Sequence, residues 1–172
     1  MRLETERLII RDIVPDDIEA MYDMYRRPEV HTYLGPASKP PESLDDYRDW
    51  FAKLQERLVL YPDGQGGWAI TLKADPDRFI GLALLKPLPD DDRIEIGWHI
   101  HPELQGQGIA TEWAQAGLKY GFETLGLQTI WCILIGENSA SRRVAEKIGM
   151  IHAGQTDKYH GLTLELFSLD RP

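Results

Sequence analysis

A chain of 172 residues supports one full hydrophobic core and is too short for two ordinary domains, so a single domain spanning 1–172 is expected. Hydrophobic residues at 42% and charged residues at 27% are those of a soluble globular protein, with no apolar run near the roughly 20 residues that a membrane span takes. The net charge of −9 argues against nucleic acid, which needs a basic face, and is compatible with a cationic substrate such as an amine.

Met1-Arg2-Leu3-Glu4-Thr5-Glu6 does not read as a signal peptide, and the cytoplasm is the expected compartment. Leu3 to Arg11 reads as a strand. Pro15-Asp16-Asp17 then marks a helix start, and Ile18, Met21, Tyr22 and Tyr25 carry the helical period to about Arg26, with Pro28 ending or interrupting it. Gly35 to Pro41 is a proline-rich loop. Ser43 can cap a second helix, from about Leu44 to Leu60, with Tyr47, Trp50, Phe51, Leu54 and Leu58 on one side.

The period then changes. Gly67–Leu72 and Arg78–Leu85 read as strands joined by the turn Lys73–Asp77, and Arg93–Ile100 completes a meander. Between them Asp90-Asp91-Asp92 offers three carboxylates. Without a histidine or an ordered ligand spacing they are better read as turn chemistry, and no metal is expected. Further on come a helix from Ile109 to about Leu125, a strand Thr129–Ile135, a helix near Ser139–Ile148 ended by Gly149, and strands around His152–Tyr159 and Leu162–Leu169 hinged at His160-Gly161. The lone cysteine, Cys132, lies inside an apolar strand and reads as a small core residue, with no intrachain disulfide possible. Strands and helices in this order predict an α+β fold: a mostly antiparallel sheet with helices inserted.

The segment with most chemical content is Gln105-Gly106-Gln107-Gly108-Ile109-Ala110-Thr111, set between the strand Arg93–Ile100 and the helix from Ile109. Two glycines let backbone N–H groups converge on an anion, and a helix N-terminus adds unpaired N–H groups and the positive end of its dipole. A pyrophosphate site is the reading. The dinucleotide fingerprint fits poorly, because Thr111 stands where its third glycine belongs and the loop falls in the second half of the chain. No Walker lysine and Ser/Thr pair follows the loop either.

With its surroundings the loop resembles that of the GNAT N-acetyltransferase superfamily, in particular its RimJ/RimL-like branch. Thr5-Glu6-Arg7-Leu8-Ile9-Ile10-Arg11 is similar to that branch's opening strand. Gln105 to Ala110 fits the superfamily's Gln/Arg-x-x-Gly-x-Gly/Ala loop, followed by the branch-typical Ala110-Thr111-Glu112. Asn138-Ser139-Ala140-Ser141, running on to Glu146-Lys147-Ile148-Gly149-Met150, resembles the branch's Asn-x-x-Ser segment and its close. The resemblance implies an acyl-CoA N-acyltransferase fold with two splayed strands, Arg93–Ile100 and Thr129–Ile135, and acetyl-CoA as donor. It implies pantetheine contacts at Trp98, His99 and Ile100, and pyrophosphate contacts at Gln105, Gly106, Gln107, Gly108, Ile109, Ala110 and Thr111. Asn138 and Ser141 then face the thioester. The implied acceptor is a primary amine, on a protein N-terminus or a small molecule, reached by direct transfer. A non-catalytic acyl-CoA-binding sensor or interaction module is the alternative. Either a monomer or a homodimer is compatible with the chain.

Transfer to an amine needs a neutral nucleophile, a stabilised oxyanion and a proton for the departing thiolate. The resemblance assigns the oxyanion to a backbone N–H near Trp98–Ile100. Glu95 is the candidate base: on a strand it shares a side with Arg93, Gly97 and His99, beside the cleft. His99 competes, with an imidazole suited to proton exchange. Many members of the superfamily place a tyrosine seven residues after the asparagine to protonate the thiolate; here Ala145 stands there, and Ser141 is the candidate in its place.

Overall fold

The computed structural model describes residues 2–36, 38–58 and 61–172. The opening stretch read as one strand is two: β1 (Leu3–Glu4) and β2 (Leu8–Arg11) pair antiparallel, Leu3 opposite Ile10. Thr5 makes the break. Its N–H donates to the Leu8 carbonyl, and its Oγ1 accepts from the Leu8 N–H at 2.9 Å. A 3-10 turn at Pro15–Asp17 leads into α1 (Ile18–Tyr25), with buried Asp17 held by both outer nitrogens of Arg11 at 2.7 and 2.8 Å. Pro28 opens a new short helix, α2 (Pro28–His31), at the first position, where a missing N–H has no helical partner to lose. Ser43 caps α3 (Leu44–Leu58) by accepting from the Asp46 N–H at 3.1 Å; the expected continuation to Leu60 lies outside the described residues.

Strands β3 (Gly66–Leu72), β4 (Asp75–Pro87) and β5 (Ile94–Ile100) form the meander. Its first turn is tighter than Lys73–Asp77, because register shifts around Thr71 let Leu72 pair with Asp75. A 3-10 turn at Pro102–Leu104 precedes the glycine loop and α4 (Ile109–Glu123). Then follow β6 (Thr129–Ile135), α5 (Ser139–Lys147), β7 (Ile151–Thr156) and β8 (Leu164–Asp170). The last hairpin is wider than expected. Thr156 pairs with Leu164, and the loop between is pinned by Tyr159, whose hydroxyl donates to Asp91. Asp91 also takes Lys158 at 2.7 Å and the Arg93 N–H at 3.0 Å, so the middle carboxylate of the Asp90–Asp92 turn serves as an anchor.

The eight strands form one sheet in the order β1-β2-β3-β4-β5-β6-β8-β7, antiparallel throughout except between β5 and β6. This is the mostly antiparallel mixed α+β sheet flanked by helices that the sequence leads one to expect. One face packs on α4 and α5 through Trp113, Phe122, Ile96, Ile130 and Ala145; the other packs on α1 and α3 through Met21, Tyr25, Tyr47, Phe51 and Phe79. β5 divides between them. Ile94 and Ile96 join the α4 core, while Glu95 and His99 turn to the opposite face. Helix α4 lies close on the sheet because Gly117 and Gly121 carry no side chain: a Cβ there would come within 2.9 Å of Ile96 and 2.6 Å of Ile130. Trp113, wholly buried, donates its indole N–H to the Gly97 carbonyl at 2.9 Å. Replacing Trp113 by alanine is expected to cost about 3–5 kcal/mol of stability, read from urea unfolding midpoints at unchanged m.

Candidate active site

The parallel ladder between β5 and β6 pairs Ile94 with Ile130 and Glu95 with Trp131, and goes no further. Beyond that point the strands part. Gly97–Ile100 on one side and Cys132–Leu134 on the other line a cavity of about 470 Å³. The indole of Trp113 ties this stretch of β5 to α4 rather than to β6. Cys132, buried in the cleft wall with its thiol pushed up by burial and by the Glu95 charge, is the inert small residue expected of it.

The cavity runs to the glycine loop. Gly106 and Gly108 both adopt left-handed backbone, at φ 76° and 80°, where a side chain costs about 1–2 kcal/mol. Gly108 is also the cap position of α4 and brings no side chain to satisfy the first-turn N–H groups. The contrast with α5 is informative: there Asn138 caps, its Oδ1 accepting from the Ser141 N–H at 3.1 Å. Donors left uncapped beside an open cavity fit an anionic group such as a pyrophosphate.

What holds this loop was not visible in the sequence. Glu112, in the first turn of α4, accepts from the Thr5 hydroxyl at 2.5 Å, the Arg7 N–H at 2.8 Å and the Arg7 Nε at 2.7 Å. The same guanidinium reaches on, Nη1 donating to the Gln107 carbonyl at 3.0 Å. Burial works against the Glu112 charge, but these donors outweigh it and hold the carboxyl below its usual range. The opening-strand motif and the loop motif are therefore two halves of one clamp.

Of the residues expected at the cofactor, Trp98, His99, Ile100, Gln105, Gly106, Gly108, Ile109, Ala110, Thr111, Asn138 and Ser141 all line this cavity, as does Glu95, the candidate base. Gln107 does not. It is exposed, with its carbonyl in the Arg7 clamp and its Nε2 directed to the Glu103 carbonyl at 3.5 Å. Ala145 is wholly buried in the main core and does not line this cavity, so the position of the family's tyrosine is a packing site in this chain.

A second cavity, of about 810 Å³, lies on the α1 and α3 side and shares Tyr33, Leu34, Leu84, Glu95, His99, Ile133 and Leu134 with the first. Glu95 sits where the two meet. Burial pushes its carboxyl up, opposed by the Lys86 ammonium at 3.5 Å and by nearby His160. His160 holds a left-handed backbone, φ 59°, unusual for a residue with a side chain, and lines the second cavity. His99 is bonded through Nδ1 to the Tyr25 hydroxyl at 2.6 Å, and burial first, then the Lys86 and His31 charges, push it down to about 4. The Tyr25 phenol, also buried, is pushed up and stays protonated.

The family model described as acetyltransferase (GNAT) domain matches residues 7–151. The chain belongs to the GNAT acetyltransferase family. It is 32% identical over 159 residues to the N-acetyltransferase YoaA of Bacillus subtilis, covering 91% of this chain and 86% of that one. A GNAT-family acetyltransferase from Bacillus anthracis superposes with a TM-score of 0.81 at 28% identity, covering 99% of both chains. RimL, a ribosomal L7/L12 alpha-N-protein acetyltransferase solved with coenzyme A, shares the fold at a TM-score of 0.79 and 15% identity, over 99% of this chain and 98% of that one.

Sequence reasoning about this GNAT enzyme missed Arg7 and Glu112 as partners, Tyr25 behind His99, and Lys86 and His160 beside Glu95. Thr5, Arg7 and Glu112 were all within recognised motifs, but their contact spans 105 residues and nothing local announces it. Glu112→Gln is expected to cost about 1.5–3 kcal/mol, the range for hydrogen bonds to a charged group. The depressed carboxyl contributes stability at neutral pH that is lost as pH falls through the acidic range, so thermal melts of the variant will show a weaker pH dependence there. Gly108→Val, which forces a β-branched residue into left-handed backbone, will weaken coenzyme A binding at least tenfold by calorimetry, with a melting temperature lower by several degrees in a variant that still folds.

Proposed function

We propose that this acyltransferase moves an acetyl group from acetyl-CoA to a primary amine by direct transfer, with Glu95 as the base. The observation that carries the reading is the wall common to the two cavities: Glu95 and His99 border both, so groups brought to either side meet at these residues. The first cavity suits the donor. N–H groups from Gln105 to Thr111 would take the pyrophosphate, the backbone of Trp98–Ile100 the pantetheine arm, and Asn138 and Ser141 its thioester end. Acetyl-CoA supplies an acetyl group already activated as a thioester.

An alkyl amine is protonated at neutral pH, with a pKa of about 10.4 for a lysine-like group. Glu95 removes that proton. Its burial makes the carboxylate a stronger base than an exposed one, while Lys86 keeps its charged form within reach. His99 does not compete. Burial pushes its imidazole down to about 4, which makes it a weaker base than a free histidine, and its Nδ1 is already engaged by the Tyr25 hydroxyl. An N–H of β5 near Trp98–Ile100 stabilises the oxyanion, and the Ser141 hydroxyl protonates the thiolate that leaves, in the role other members give to tyrosine.

Release of free thiol from acetyl-CoA over a panel of amines tests the activity. Glu95→Gln is expected to lower kcat by about 10²–10⁴-fold with the KM for acetyl-CoA held. In the parent enzyme kcat/KM falls as pH drops through the raised Glu95 value, so the acid limb lies above the ordinary glutamate range. Lys86→Met, which removes the opposing charge, will move that limb to still higher pH. An unchanged acid limb in both variants would remove Glu95 from the reaction.

A further inference from the structure

The second cavity has a chemistry that selects among amines. Val14, Tyr33, Trp50 and Ile151 are the exposed large apolar side chains among the described residues, and both Tyr33 and Trp50 line this cavity. Trp50 is 50% exposed and Tyr33 42%, on different segments, α3 and the stretch after α2. Leaving two large rings in water is unfavourable unless something covers them. Between these rings and Glu95 the wall is largely apolar, with Leu82, Leu84, Ile133, Ile135 and Leu164.

Most of the buried polar groups in the wall are engaged, the Tyr47 hydroxyl being the one left without a partner among the described residues. The Tyr25 hydroxyl meets His99; His31 donates through Nε2 to the Tyr25 carbonyl at 2.5 Å and meets the Ser38 hydroxyl through Nδ1 at 2.7 Å. No asparagine or glutamine lines the cavity among the described residues. A peptide would bring amide groups that need partners, and this wall offers few. A polyamine would bring further ammonium groups. Of the lining charges, Lys86 pairs with Glu95, Lys39 and Glu42 contribute one charge of each sign, and the Asp46 carboxylate, which takes the Ser43 hydroxyl at 2.5 Å in the α3 cap, keeps its negative charge. That single carboxylate falls short of pairing the further ammonium groups of a polyamine.

We infer that the acceptor is a small primary amine carried on an aromatic body, its amino group at Glu95 and its ring against Trp50 and Tyr33. This rests on the acetyl-transfer reading above and narrows its acceptor. A cavity of about 810 Å³ holds a molecule of that size, and face or edge contacts with exposed rings favour a planar group over a flexible chain.

The test compares phenethylamine, spermidine and a short peptide with a free N-terminal alanine, each with acetyl-CoA, on the parent enzyme and on Trp50→Ala and Trp50→Phe. Phenethylamine is expected to have a kcat/KM at least tenfold above the other two. Trp50→Ala will raise the KM for phenethylamine at least fivefold with kcat largely kept, Trp50→Phe will restore most of it, and spermidine will respond little to either change. Melting temperatures close to the parent's will show that both variants fold, as a half-exposed side chain allows. Preference for spermidine or the peptide, or a phenethylamine KM indifferent to Trp50→Ala in a folded variant, overturns this inference and leaves the acetyl-transfer reading standing. Acetyl-CoA bound without transfer to any of the three overturns the inference together with the assignment of an amine acceptor.

Discussion

Everything at the centre of this enzyme depends on a parallel ladder that stops after Glu95 and Trp131. A strand pair that separates inside a sheet leaves N–H and C=O groups facing each other across a gap, and buried backbone groups must find partners. Here the Gly97 carbonyl finds a side chain, the indole of Trp113, and the remaining edges face a cavity. The gap is stable because the two halves of the sheet are each complete on their far sides. β5 is paired along its whole length with β4, and β6 likewise with β8. The strain of parting is thus confined to one seam.

That seam opens the sheet from one face to the other, and the alternation of β5 decides what each face receives. Ile94 and Ile96 fill the core under α4, while Glu95 and His99 reach the opposite side, where α1 and α3 leave a second cavity. A slip of one residue would exchange the sets, burying a carboxylate under Trp113 and turning isoleucines into the reaction space. Register is fixed against this by Gly81 on β4: a Cβ there would lie 2.5 Å from the His99 carbonyl, so the close approach of β4 to β5 is built on that residue.

Much of this was legible in the chain. The periodicities located the helices and most strands, and Gly106 and Gly108, placed before a helix, offered the left-handed backbone that an anion loop needs. The family's motifs then supplied the donor. Illegible were features made by contact between distant segments. The break between β1 and β2 follows from a Thr5 side chain that serves Leu8 locally and Glu112 at a distance, and the strand propensity of Leu8-Ile9-Ile10 gave no hint of it. Likewise the contact of His99 with Tyr25 could not be read from the chain, because the position of Tyr25 behind the imidazole depends on how α1 packs against the sheet.

The same logic bears on the position where the family's tyrosine would stand. Position 145 faces the core, packed with Ile148, Met150 and the α4 side chains, and a phenol would find no cavity there. Two polar residues near the seam are fixed by their neighbours: Ser141, whose N–H is taken by the Asn138 cap of α5, and His99, whose Nδ1 meets the Tyr25 hydroxyl. Each is oriented by a hydrogen bond to an element that packing already holds rigid, so neither has to be ordered when substrate arrives. What distinguishes this protein from others of its fold is then concentrated in the segments that pack across the α1 and α3 face, because the donor side is set by the backbone and the reacting groups by β5.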